Sequence, residues 1–257
     1  MSLTRAALRL AAPLPRIEDF RRCLFIGPHP DDIEIGAGAT AAKLAAMGKE
    51  LCFLICTDGR FGDAYLPAGS SAEELVATRQ EEARRSAALL GVRDVRFLGL
   101  SDGGLYAPEA LWRGIAGVIG DFEPALIFAP DPRVSSECHA DHLNVGEAAM
   151  RLSYFAPYPG IMAGYGAKAA PVKAIALYMT AKPNRYVKTT GFLEKQLEAV
   201  FSCHQSQFPA GCGEARAIRL YLKLRSADNG LRSLKGAAEG FRVLGVTQMH
   251  CLPEAGD

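Results

Sequence analysis

Apolar residues arrive in short blocks separated by longer amphipathic stretches, and the spacing inside each block predicts what it forms. RCLFIG (22–27), ELCFLICTD (50–58), DVRFLGL (94–100) and ALIFAP (125–130) are near-continuous apolar runs, the pattern of strands buried on both faces. Between them, IGAGATAAKLAAMG (35–48) reads as a helix of small residues stopped by Gly48. SAEELVATRQEEARRSAALLG (71–91) has helical spacing, a capping box from Ser71 and Glu74, and Gly91 as its stop. LWRGIAGVIGDF (111–122) is a third helix, and residues 59–72 are a loop. Strand and helix thus alternate four times, which predicts an α/β chain with a mostly parallel sheet and helices on both faces. In such a sheet, loops beyond the carboxyl ends of the strands converge over a rigid platform, and chemistry collects there.

The second half is less regular. LNVGEAAMRLSYF (143–155) reads as a helix, and the Pro/Gly-rich stretch 156–171 as a loop or lid, with Tyr154, Tyr158 and Tyr165 as sugar-stacking candidates. KAIALYMT (173–180) is a strand, 190–208 includes a helix, and AIRLYLKLR (217–225) fits helix or strand equally. With no internal repeat and no linker, a single domain over 1–257 is expected, its core at about 22–249.

Composition narrows the function. With 29 basic against 28 acidic residues and a net charge of +1, nothing calls for a nucleic-acid partner. Seven cysteines, odd in number and irregularly spaced, read as reduced and mostly buried thiols rather than a disulfide framework. The N-terminal segment lacks the apolar core and cleavage site of a secretory signal, and no run reaches membrane-spanning length. A cytoplasmic protein without a transmembrane segment is expected.

The polar residues that follow each strand carry the chemistry. HPDD follows the first, TDGRFGD the second, SDGG the third and APDPRVSSECHADH the fourth, all on one rim. His29, Asp31 and Asp32 therefore share that rim with His139, Asp141 and His142. Carboxylates gathered out of water repel one another and lose hydration, and a divalent cation resolves both costs. The His/Asp mixture suits Zn2+, with Fe2+, Co2+ or Mn2+ as substitutes. Taken alone, the aspartates could be helix caps, but matching clusters on two strand ends weigh against that. IGAGAT (35–40) lacks the full dinucleotide-binding pattern; Gly36 and Gly38 instead suit close helix packing. Arg60, beside Gly59, is within reach of substrate hydroxyls or a phosphate, and Arg133, in the loop before HADH, is a candidate for discriminating substrates.

PHPDDIEIGAG and HADH resemble the paired signatures of the N-acetylglucosaminyl-phosphatidylinositol de-N-acetylase superfamily, the LmbE-like deacetylases. The resemblance extends over roughly residues 22–249: TRQEEARRSAALLGVRDVRFLGLSDGGL is similar to the family's Arg/Glu helix, strand and Asp-Gly loop, and SCHQSQF and AEGFRV to its C-terminal elements. It implies a Rossmann-like, LmbE-like fold and a zinc hydrolase that removes acetyl from an N-acetylglucosaminyl conjugate by attack of metal-bound water. By motif position it implies His29, Asp32 and His142 as ligands and Asp31 as general base. His139 would stabilise the oxyanion or protonate the departing amine, with Asp141 orienting it. Arg79, Glu82 and Asp102 would support the substrate pocket, and His204 would sit at its rim. The expected partner is a small N-acetylated sugar conjugate, and homo-oligomerisation stays open. Two other readings compete: an amidase for a larger acyl conjugate, and a sugar- or metal-binding module without turnover. Intact Asp31 and His139 argue against the second.

Overall fold

The computed structural model describes residues 7–8, 10–66 and 69–250. Its strands are β1 (Arg22–Gly27), β2 (Glu50–Thr57), β3 (Asp94–Leu100), β4 (Leu126–Pro130), β5 (Ala174–Tyr178), β6 (Arg185–Lys188) and β7 (Ala238–Gly245). From residue 32 onward its α-helices are α1 (Asp32–Ala46), α2 (Ala72–Leu90), α3 (Pro108–Phe122), α4 (Ala140–Phe155), α5 (Pro159–Gly164), α6 (Leu193–Glu198), α7 (Gly213–Ser233) and α8 (Val246–Met249). One sheet takes the strands in the order β3-β2-β1-β4-β5-β7-β6. The first five are parallel; β7 runs antiparallel to both β5 and β6.

Because side chains alternate across a strand, the apolar runs divide between two cores. Phe25, Phe53 and Phe128 face α1 and α2, and Phe25 stacks on Phe128 at a centroid distance of 4.1 Å. Leu24, Ile26, Leu54 and Ile127 face α3 and α4. The interior strands β1, β2, β4, β5 and β7 are therefore buried on both sides, while the edge strands β3 and β6 are only partly covered. Among the described residues Cys23, Cys52, Cys56 and Cys203 are buried free thiols, Cys138 is exposed and Cys212 intermediate. Cys251, and residues 67 and 68 of the 59–72 loop, lie outside the described residues.

Several boundaries differ from the sequence reading. Helix α1 begins at Asp32, not at residue 35, and α4 begins at Ala140, not at 143, so both polar clusters enter the first turns of helices. The capping box of Ser71 with Glu74 and the left-handed Gly91 stop delimit α2 as expected. Residues 217–225 are helical, within α7. The 156–171 segment is not a lid over the rim. It starts at the far end of the 16-residue α4, about 24 Å from that helix's first turn, and α5 tucks Met162 into the second core. Tyr165 there stacks on Trp112, and Tyr154 pairs with Tyr158, so none of the three tyrosines lines the rim.

The strand order places the site. The chain steps outward from β1 to β3, then returns to add β4 on the other side of β1. A crevice opens at such a reversal, outside the carboxyl ends of β1 and β4. HPDD leaves β1 there and HADH follows β4.

Candidate active site

The turn between β1 and α1 is held by two neighbouring elements, through Thr57 at the end of β2 and Arg79 on α2. The Thr57 amide and hydroxyl both donate to the Pro28 carbonyl, at 2.8 and 2.9 Å. Arg79, buried on α2, donates to the carbonyls of Gly59 (2.9 Å) and Pro30 (3.1 Å) and reaches Asp31 at 3.3 Å. Asp31 itself has φ +130°, a conformation that costs a non-glycine residue about 1–3 kcal/mol and persists where surroundings over-determine it. It occupies the N-cap position of α1, yet its carboxylate makes no cap bond. The bland capping role is thereby removed for Asp31.

Three side chains converge beside it. His29 Nδ1 lies 3.0 Å from Asp32 Oδ2, and His142 Nε2 lies 3.4 Å from Asp32 Oδ1. Donor atoms of His29, Asp32 and His142 all fall within 4.8 Å of one another. Burial opposes charge on His29, but hydrogen bonds to Asp141 and Asp32 outweigh it and lift its pKa to about 10. Burial likewise opposes charge on His142, and Asp32 lifts it to about 9. Burial pushes Asp32 up, yet the two imidazoles hold it well below the usual carboxylate range. Protons on two imidazoles thus balance the buried carboxylates, in the place a cation would take. Two imidazoles and a carboxylate also match the donor number of a catalytic metal centre, so the residues present fit a divalent metal.

Asp141 is fully buried and stands behind His29, not His139. Its carboxylate accepts from the amides of Gly103 (2.7 Å) and Gly104 (2.9 Å) and from His29 Nε2 (3.0 Å). The expected orienting bond to His139 is absent: Nδ1 of that residue is 3.8 Å from the carboxylate and instead accepts from the Asp141 amide at 3.3 Å. That contact leaves His139 Nε2 as the N–H, on a half-exposed ring at the mouth of the site. Burial, then the neighbouring His29 and His142, lowers its pKa.

A cavity of about 270 Å³ opens over these groups, lined by His29, Asp31, His139, Arg79, Asp102 and Phe61 among others. Burial lifts Asp31 to a pKa of about 6, with Arg79 the main restraint. The Asp102 carboxylate accepts from the Phe61 amide through Oδ2, while its buried Oδ1 has no protein partner. A second, larger cavity of about 480 Å³ lies elsewhere and contains none of the clustered His/Asp groups.

Other expected residues divide. Arg79 and Asp102 line the site. Glu82 lies behind it, accepting from the Ser206 amide and hydroxyl at 2.8 and 2.6 Å. Arg60 is committed to Asp58 through two bonds of 2.7 and 2.9 Å and does not line the cavity. Arg133 lines the larger cavity and approaches Glu147 at 3.5 Å. His204 is wholly buried, 3.4 Å from Glu34, so it belongs beneath the rim rather than on it. Two contributors escaped the sequence reading. Glu137 accepts from His142 Nδ1 at 3.0 Å and from the His139 amide at 2.8 Å. The backbone of Gly103 and Gly104 holds Asp141. Metal-ligating histidines usually pass their second nitrogen to a carboxylate, so an acid near HADH was the available signal for Glu137.

Comparison with known proteins accords with this geometry. The family model described as PIG-L: GlcNAc-PI de-N-acetylase matches residues 24–153. The chain is 33% identical over 242 residues to the diacetylchitobiose deacetylase of Thermococcus kodakarensis, covering 92% of this chain and 88% of that protein. It is 32% identical over 187 residues to a 1D-myo-inositol 2-acetamido-2-deoxy-alpha-D-glucopyranoside deacetylase of Thermomonospora curvata, covering 63% of this chain and 61% of that one. The crystal structure of N,N'-diacetylchitobiose deacetylase from Pyrococcus horikoshii superposes with a TM-score of 0.85 at 31% identity, over 97% of this chain and 96% of that one. The fold is the LmbE-like deacetylase α/β fold.

Proposed function

This chain belongs to the PIG-L family of de-N-acetylases, and from that premise we propose that it removes acetyl from the N-acetylglucosamine unit of a short chitin-type oligosaccharide such as N,N'-diacetylchitobiose. It is a metal-dependent deacetylase in general terms; the sugar and the roles below are the proposal. The observation that carries the substrate is coverage. Similarity to the chitobiose deacetylases runs nearly end to end, whereas similarity to the inositol-glycoside deacetylases covers between 51% and 76% of this chain.

His29, Asp32 and His142 would hold the divalent metal, with zinc the expected ion. When bound, it supplies Lewis acidity that polarises the acetamide carbonyl and acidifies water. Asp31 takes the proton of the attacking water. Its position on the cavity wall outside the three-donor set, and a pKa of about 6, suit a base working near neutrality. Attack on the carbonyl carbon puts negative charge on its oxygen, toward which the Nε2–H of His139 donates. The C–N bond then breaks as Asp31 returns its proton to the amine, and acetate leaves. Asp102 Oδ1, buried and unpartnered on the cavity wall, accepts a sugar hydroxyl. Arg79 holds Asp31 in place.

The test is acetate release from a panel of diacetylchitobiose, free N-acetylglucosamine, an N-acetylglucosaminyl inositol, and an amide with a longer acyl chain. Release confined to the chitooligosaccharides is expected. Preference for the inositol glycoside, or release of a longer acid, overturns the substrate assignment.

A further inference from the structure

Helix α7 buries Leu222, Ser226, Asn229 and Gly230 against the body of the protein. Its opposite face carries a second apolar stripe. Ala217, Leu220, Leu224, Ala227, Leu231 and the C-capping Leu234 follow one another at alternating steps of three and four, and all are exposed. The four leucines are 59, 61, 76 and 91% exposed, in that order. A single exposed leucine needs no explanation, but a contiguous row of them does. Alternation of three and four is the spacing by which one helix receives another, residue against residue, and a flat surface does not require it.

We propose that this stripe is where a second copy of the chain docks, helix α7 against helix α7, antiparallel about a two-fold axis. The occupant follows from self-complementarity. An axis passing midway between positions 225 and 226 sets Leu220 opposite Leu231 of the partner subunit. It sets Leu224 opposite Ala227 of the partner subunit and Ala217 opposite Leu234 of the partner subunit. Large side chains meet small ones at four of the six contacts, so the helices can approach closely, and two leucine pairs flank the centre. A parallel pairing lacks this match, because Ala227 would face Ala227 of the partner subunit and leave a void.

The charges agree. Residues flanking the seam on one side are Tyr221 and Asp228, and the antiparallel arrangement brings each toward the other's counterpart, hydroxyl to carboxylate. On the other side Lys223 comes opposite Gly230 of the partner subunit, so no like charges oppose each other at the centre. Arg232 is turned to Asp228 on its own helix at 2.9 Å, and Lys235 donates to the Tyr186 carbonyl. The exposed leucines with Tyr221 offer on the order of 600 Å² per copy, about 1,200 Å² in all, the lower bound for a specific interface. An isologous contact of this kind closes on itself and yields dimers or assemblies built from dimers.

The test is sedimentation of the full chain at micromolar concentration with two variants, Leu220→Lys and Leu231→Glu. Wild type is expected to sediment as a dimer or a multiple of dimers. Each variant alone, with its far-UV circular dichroism and melting temperature retained, should sediment at half the wild-type mass. Mixing the two should restore the wild-type mass, because the antiparallel register sets the introduced lysine of one copy against the introduced glutamate of the other. A monomeric wild type, or variants with unchanged mass, overturns the proposal. Failure of the mixture to reassociate overturns the antiparallel register.

Discussion

His29 Nε2 and the carboxylate of Asp141 stand 3.0 Å apart, and the Gly103 and Gly104 amides pin that carboxylate from the other side. A fully buried acid so held fixes both the tautomer and the plane of the ring, leaving His29 Nδ1 to face Asp32. Removing the acid while keeping the shape should therefore loosen the metal, not merely slow the chemistry. Asp141→Asn is expected to lower metal affinity by roughly 10- to 100-fold. Competition against a chelating dye measures it, and activity should recover as free metal is raised. Unchanged affinity would return Asp141 to the His139 role that its place in the sequence suggested.

Asp31 calls for the opposite result. It sits outside the three-donor set, so Asp31→Asn should leave metal content at wild-type level while turnover falls by roughly 10²- to 10⁴-fold. Metal analysis of the purified variant beside its acetate-release rate decides the point. Loss of metal would move Asp31 into the ligand set.

Arg79 reaches Asp31 at 3.3 Å and is the main restraint on its pKa. In Arg79→Gln the positive charge is gone, and burial together with the neighbouring Asp32 charge should raise the Asp31 pKa further. With Asp31 as the proposed base, the acid limb of kcat/KM against pH should move to higher pH, because that carboxyl stays protonated further up the scale. A variant slower at every pH with an unmoved limb would make Arg79 a purely structural support.

How far the sequence foretold this arrangement depends on what each residue needs as a partner. Strands β1, β2, β4 and β5 were legible because burial on both faces writes an unbroken apolar run, whereas β3 lies at the sheet edge with no fully buried residue. Strand β6, RYVK, is only four residues long and carries no such run; it exists because β7 offers it an edge. HPDD and HADH were legible as a pair because each follows a strand on the same rim. The partners of Asp141 were not, since Gly103 and Gly104 contribute amides, which every residue has, and the backbone conformation that aims them leaves only a glycine pair as its trace. His204 misled for a related reason. Its neighbour Glu34 lies in the first turn of α1, and only the packing of residues 196–207 over that helix sinks the histidine out of reach.

Gly36 shows the same dependence on packing. A Cβ there would sit 2.2 Å from the Tyr178 ring, whose hydroxyl donates to the Ile26 carbonyl at the end of β1. Gly36→Ala must displace that ring or the helix and is expected to cost about 1–3 kcal/mol. A thermal melt lower by several degrees, with circular dichroism retained, is the expected reading; an unchanged melt would mean the ring yields freely.

If His29 and His142 hold the metal as proposed, the pair should make stability and metal affinity respond to pH in opposite directions. In metal-free protein His29 and His142 are raised to about 10 and about 9 from the ordinary 6.5. A base whose folded pKa is raised binds its proton more tightly in the native state. Its contribution is complete below about pH 6.5 and is lost as pH climbs through about 9 and 10. The chelated protein should therefore melt progressively lower from about pH 7 to about pH 10. Metal needs both imidazoles free of those protons, so its affinity should rise over the same interval. Melting curves taken in chelator and in excess zinc should then diverge as pH increases. Parallel curves would mean that these two imidazoles do not carry the protons a metal must displace.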